Sequence, residues 1–244
     1  MTISKIEALQ LERYNHLEGD HFGRYGTGPN DMAMKRFKVK LIKEMFSDVK
    51  GAPILDLGAD EGSVVGALSD NGNTGISIDI AYQRLLGNSR LGKGLFVCSR
   101  AQELPFSESS IGGICAFDII EHLDKKDPVK MMEEIYRVLA PGKKVILATT
   151  NTSCLARNMR RLIEPDRVVS IAEHANEMSY QTVRQLFRQT GFVNIHARGA
   201  GIIPGMRRLQ WFLPFNKLHK WDIAISERFP QISPEIFIAA EKPQ

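Results

Sequence analysis

The chain has 244 residues, of which 43% are hydrophobic and 25% charged, with a formal net charge of +4; this is ordinary for a soluble globular protein and enough for a full core. No run approaches the roughly 18 to 20 consecutive apolar residues needed to cross a bilayer. The opening stretch Met1-Thr2-Ile3-Ser4-Lys5-Ile6-Glu7 has no signal-peptide core, so a cytoplasmic location is expected.

In chain order, Ala33 to Phe46 places Met34, Phe37, Leu41 and Phe46 near the helical period, and Gly51-Ala52-Pro53 ends that helix. Ile54–Leu57 reads as a buried strand, followed by a glycine-bearing loop and a helix over 63–69. Gly75–Asp79 is a second strand, Ala81–Leu86 a helix, Leu95–Cys98 a third strand and Ile114–Phe117 a fourth. Val129–Leu139 predicts an amphipathic helix with Met132, Ile135, Tyr136 and Leu139 inward, and Lys144–Ala148 a fifth strand. After a looser stretch, a helix over 179–189 is expected, with Thr182 near its start and Gly191 at its stop. Phe192–His196 and Ile236–Ala240 are the last strands, separated by an insertion over 201–233.

Branched apolar strands alternating with helices imply a parallel sheet covered on both faces. The expected fold is α/β, a Rossmann-like three-layer sandwich with a seven-stranded, mostly parallel sheet. No internal repeat or composition break divides it, so 1–244 reads as one domain. Within it, 1–50 is a helical lead-in and lid, 51–150 the cofactor-binding core, and 151–178 and 201–233 are insertions that shape an acceptor pocket. The three cysteines, Cys98, Cys115 and Cys154, match no metal or redox spacing and are expected to be small apolar core residues; no metal site is expected.

A parallel sheet binds ligand beyond the carboxyl ends of its strands. The loop Asp56-Leu57-Gly58-Ala59-Asp60-Glu61-Gly62 falls there, with Gly58 for a sharp turn and Gly62 for close backbone approach. Asp79 closes the second strand about 20 residues later, where a carboxylate suits the vicinal hydroxyls of a ribose. Asp79 also fits the cap of the following helix.

These residues carry a resemblance. Ile54 to Gly62 is similar to the first motif of class I S-adenosylmethionine-dependent methyltransferases. Leu104-Pro105-Phe106, Glu121-His122-Leu123 and Leu139-Ala140-Pro141-Gly142-Lys143 resemble later motifs of that family in order and spacing. The likeness runs toward the branch acting on small molecules and quinones. It implies S-adenosylmethionine as cofactor, held by Asp56, Gly58, Ala59, Asp60, Gly62, Asp79, Ile80, Ala101, Gln102 and Phe117. It also implies an acceptor pocket with Tyr25, Glu121 and His174, beneath an N-terminal segment that carries His21 and Phe22.

Three positions depart from the family pattern. Asp60 replaces the middle loop glycine, Arg100 stands where relatives often carry an acid that accepts the adenine amino group, and Ile111-Gly112 replaces a Phe-Asp pair. A guanidinium only donates, so adenine recognition is expected to shift to the backbone of Ala101 and Gln102. The same departures motivate the alternative of a catalytically inactive methyltransferase-fold scaffold. A nicotinamide-dependent dehydrogenase ranks third, because the loop lacks the Gly-x-Gly-x-x-Gly spacing.

Methyl transfer from a sulfonium mainly requires alignment and exclusion of water, and a general base is optional. His122, following the fourth strand, is the candidate base, with packing or capping as the bland alternative. Charge divides unevenly: residues 1–122 hold 13 Lys and Arg against 16 Asp and Glu, and 123–244 hold 19 against 12. With the basic, apolar stretch 206–221, this suits a small-molecule or lipid-like acceptor and peripheral membrane contact, although snorkelling cations on a packed helix have the same composition. No RNA-binding appendage or base-flipping motif is recognisable, and nucleic acid is not expected as a partner.

Overall fold

The computed structural model describes residues 29–59, 72–89, 94–155, 157–159, 175–201 and 224–244. The expected helix over 63–69, residues 1–28 and most of the 201–233 insertion lie outside them.

Helix α1 (Pro29–Met45) leads into strand β1 (Ile54–Leu57), then come β2 (Gly75–Asp79), α2 (Tyr82–Ser89), β3 (Leu95–Cys98) and β4 (Ile111–Phe117). A short 3-10 turn (Ile120–His122), α3 (Asp127–Val138), β5 (Leu139–Thr150), α4 (Tyr180–Thr190) and β6 (Val193–Ala200) follow. A second 3-10 turn (Pro230–Ile232) precedes β7 (Glu235–Glu241). The seven strands form one sheet in the order β3-β2-β1-β4-β5-β7-β6. β1 is parallel to β2 and β4, β2 to β3, and β4 to β5, while β7 alone runs antiparallel to both its neighbours. This is the expected Rossmann-like, mostly parallel sheet.

Alternation along each strand sorts the core into two faces. Leu55, Leu57, Ile78, Ile114, Val145 and Leu147 join Met131, Met132, Ile135 and Val138 of α3 and Val183 and Phe187 of α4. On the other face, Ile54, Cys115, Ile146, Ala148 and Phe237 meet Leu41 and Ile42 of α1 and Phe46 just after it. The described part of the N-terminal lead-in is therefore a core layer.

Close packing explains the departure at Ile111-Gly112. β4 begins at Ile111, not at the expected Ile114. A β-carbon on Gly112 would lie 2.6 Å from Ala52 Cβ, and one on Gly113 2.7 Å from Phe46 Cε1. The chain between α1 and β1 lies so near the strand that neither position has room for a side chain. β5 also opens earlier, at Leu139 instead of Lys144, because Leu139 pairs with Ile111 and the extended chain begins at the residue that stops α3. Ser179 is the cap of α4: its Oγ accepts from the Thr182 N–H at 3.1 Å. Cys98 differs from its expected place in the core, since it is exposed on β3, the edge strand, while Cys115 and Cys154 are buried.

Two family-like motifs turn out to be structural. Arg137 of α3 donates to the carbonyls of Phe106 at 2.8 Å and Leu104 at 3.0 Å, while Glu134 accepts from the Leu104 N–H at 2.8 Å, so this pair clamps the Leu-Pro-Phe stretch. At the opposite end of the sheet from the ligand edge, Gly142 N–H donates to Lys242 O at 2.8 Å, and buried Lys242 Nζ donates to Tyr136 O and Leu139 O at 2.8 Å.

Candidate active site

Strand order reverses between β1 and β4: β2 and β3 continue on one side of β1, while β4 starts the other side. A crevice opens at the carboxyl ends of strands flanking such a switch point. At its floor Gly58 adopts φ +72°, a left-handed conformation that a side chain disfavours, and its N–H donates to Ile78 O at 2.9 Å. A β-carbon there would lie 3.1 Å from Ile119 Cβ, so the loop rests directly on the chain leaving β4. Asp56 is buried below, and Cys115 Sγ points at its Oδ1 at 3.7 Å. Burial, with the Asp56 charge added, pushes the Cys115 thiol pKa well up and keeps it protonated.

Asp79 ends β2 on the same edge, and its Oδ1 accepts from the Ala81 N–H at 2.8 Å, one residue before α2 begins. Ile80 follows it, half-buried, and Ala101 and Gln102 are buried beyond β3. The Arg100 guanidinium reaches Glu103 at 3.4 Å and Asp127 at 3.9 Å, at the start of α3. Asp60, Gly62, Tyr25, His21, Phe22 and His174 lie outside the described residues.

The β4–β5–β7 side of the edge gathers charge. Phe117 ends β4, packs edge-on to Phe237 with centroids 6.1 Å apart, and carries Lys38 Nζ 5.4 Å from its ring centre. Lys38, from α1, pairs with Asp118 and lies 3.6 Å from Glu235. Because β7 runs antiparallel, its first residue, Glu235, lies opposite Thr150 at the carboxyl end of β5. Burial alone would lower the Lys38 pKa, but the carboxylates of Asp118, Glu235 and Glu121 outweigh it and hold the amine above its usual value. Glu121 is 1% exposed and accepts from Thr149 Oγ1 at 2.8 Å. Burial first, then the Asp118 charge, pushes its pKa from 4.5 to about 7. The same two causes raise that of Glu235. His122 is half-buried at the end of the turn that presents Glu121, and its N–H donates to Ile119 O at 3.0 Å. Among the described residues, no three of His, Cys, Asp and Glu group so as to hold a metal ion.

Reading the sequence missed Lys38, Asp118, Glu235 and Asn151. Buried Asn151 Nδ2 donates to Gln231 O and Ser233 O at 2.9 Å, and its Oδ1 accepts from the N–H groups of Ser153 and Tyr180 at 3.0 Å. One side chain thus ties the ends of β5, α4 and the turn before β7 together. Its position immediately after a run of strand residues was the available signal.

Comparison with known proteins agrees with this layout. A family model described as a methyltransferase domain matches residues 31–197, more than half the chain. An O-methyltransferase of Aspergillus nomiae is 31% identical over 115 residues, 44% of this chain and 50% of the relative, so the match spans half the length of that protein. A demethylmenaquinone methyltransferase of Clavibacter sepedonicus is 25% identical over 181 residues, 64% of this chain and 72% of the relative. Among solved structures, phosphoethanolamine N-methyltransferase 2 of Haemonchus contortus, in complex with S-adenosylhomocysteine, superposes with a TM-score of 0.60 at 17% identity. That superposition covers 86% of this chain and 53% of the other, and shows the shared fold. With the sheet order, the glycine turn and the matched residues together, the chain belongs to the methyltransferase-domain family, in its class I, S-adenosylmethionine-dependent form.

Proposed function

We propose that this protein transfers a methyl group from S-adenosylmethionine to a small-molecule or lipid-like acceptor. The observation that carries the reading is the left-handed Gly58 turn beside Asp79 at the switch point of a methyltransferase-family sheet. The residues fit the cofactor: a carboxylate at the end of β2 suits a ribose diol, and the buried Ala101-Gln102 backbone suits an adenine edge. Asp56, Gly58, Ala59, Asp60, Gly62, Asp79, Ile80, Ala101, Gln102 and Phe117 form the cofactor side of the site. Glu121, Tyr25 and His174 belong to the acceptor side. When bound, S-adenosylmethionine supplies a methyl group already activated by positive sulfur; the protein aligns the acceptor and excludes water.

The activities of the relatives, O-methylation and methylation of demethylmenaquinone, support an acceptor of small-molecule or quinone type. Calorimetric titration with S-adenosylmethionine and S-adenosylhomocysteine, repeated on Asp79→Ala, tests the cofactor side. Micromolar binding that collapses in the variant is expected; no binding by the intact protein favours the inactive scaffold. A panel of phenols, naphthoquinols and carboxylic acids, with labelled methyl donor, then tests the acceptor class. Methyl transfer unchanged in His122→Ala would remove that residue from the mechanism. Peripheral membrane contact through 206–221 predicts that liposome co-sedimentation weakens on charge reversal at Arg207, Arg208 and Lys217.

A further inference from the structure

Asp118 is the first residue beyond β4, set between Phe117 and Ile119, the side chain against which the Gly58 turn rests. It holds φ +52°, a left-handed conformation uncommon for a residue with a β-carbon, while its N–H donates to Ala148 O at 3.0 Å. The side chain is 46% exposed at the mouth of the crevice, yet it is gripped by Lys38, whose own side chain is only 16% exposed. Glu235 holds Lys38 from the other side at 3.6 Å. An exposed carboxylate seldom recruits a mostly buried lysine, because ordering two long side chains at a surface gains little. Here the lysine is fixed by the second carboxylate and by the Phe117 ring, so Asp118 is held in one place at little further cost in freedom.

A second observation points to a missing ligand on the same edge. Among the described residues, Thr150 Oγ1, opposite Glu235 in the β5–β7 register, and Asn176 Nδ2, on the residue whose N–H bonds Glu121 O, are buried and have no hydrogen-bond partner. Buried polar atoms without partners are rare in folded proteins and mark sites completed by something else.

We propose that Asp118 is the carboxylate that meets the acceptor and takes its proton, with Lys38 and Glu235 as the residues that position it. This deepens the reading above and rests on it. As the acceptor's oxygen or nitrogen lone pair bonds to the methyl carbon, the carbon–sulfur pair stays on sulfur and the acceptor's proton passes to an Asp118 carboxylate oxygen.

The test needs no knowledge of the acceptor. Sinefungin carries a protonated amine in place of the methyl-bearing sulfonium, whereas S-adenosylhomocysteine has neither methyl nor charge there. Titration of the full chain with both compounds compares a donor at the transfer position with none. The intact protein is expected to bind sinefungin about tenfold more tightly than S-adenosylhomocysteine, the scale of one hydrogen bond to a charged group. In Asp118→Asn the ratio falls to about one while S-adenosylhomocysteine affinity is kept, since Asn tolerates the left-handed backbone and removes only the charge. Lys38→Met narrows the ratio, and Lys38→Arg restores it. A ratio near one in the intact protein, or a preference that survives Asp118→Asn, overturns the proposal. Failure to bind either compound overturns the cofactor reading itself.

Discussion

Glu121→Gln is expected to change how stability depends on pH. Glu121 is buried beside Asp118 and Glu235, and its pKa is about 7 in the folded protein against 4.5 as a free side chain. A carboxyl whose folded pKa is raised binds more protons folded than unfolded, so its contribution is fully present below 4.5 and is lost as pH climbs to about 7. From pH 5 to pH 8 that loss amounts to about 2–3 kcal/mol for this one group. Glutamine keeps a carbonyl oxygen to accept the Thr149 hydroxyl proton and cannot ionise. Any fixed cost of its amide is the same at every pH, and Glu235 titrates in both proteins. Urea unfolding of both forms at pH 5, 6, 7 and 8 reads the difference directly. The variant should gain on the parent by about 2–3 kcal/mol across that range, with most of the change below pH 7. A stability difference that stays flat with pH would show that Glu121 titrates as an ordinary carboxylate, unmoved by burial and the Asp118 charge.

Further outcomes follow from packing and hydrogen bonding. Gly113→Ala pushes a methyl into the Phe46 ring and should cost about 1–3 kcal/mol in chemical denaturation. Asn151→Ala strands two carbonyls and two N–H groups between β5, α4 and the turn before β7; a loss of about 3 kcal/mol is expected, with faster amide exchange at Ser153 and Tyr180. Lys242→Met releases the carbonyls of Tyr136 and Leu139 at the far end of the sheet. It should lower the unfolding midpoint while S-adenosylhomocysteine affinity is unchanged.

β1, β2 and β3 match the sequence reading residue for residue, because each is a short apolar run bounded by Gly, Pro or a polar loop. The switch-point turn and Asp79 were legible for a similar reason: both belong to one local stretch. The early start of β5 was not legible, because Pro141 and Gly142 read as a break and the pairing of Leu139 with Ile111 is a long-range contact. The acceptor side was hidden further. Lys38 and Asp118 are 80 residues apart, and Glu235 reaches them only because β7 runs backwards between β5 and β6. Periodicity assigns residues to faces and says nothing of strand direction, so Glu235 read as the neighbour of a strand instead of part of a site. Cys98 fails for a related reason: a pattern cannot tell an edge strand from a central one.

The reversed strand also governs how this protein can diversify. Ala200, the last residue of β6, pairs with Glu235, the first of β7, so the chain between them leaves and re-enters at the acceptor edge. Its closing end is pinned by Asn151 at Gln231 and Ser233. The two ends of the β6–β7 connection are thus fixed by the sheet, and lengthening a connection between fixed ends is thermodynamically cheap, at about 0.6 kcal/mol for each doubling. A change in that connection is therefore expected to leave the pairing of β1, β2 and β3 untouched.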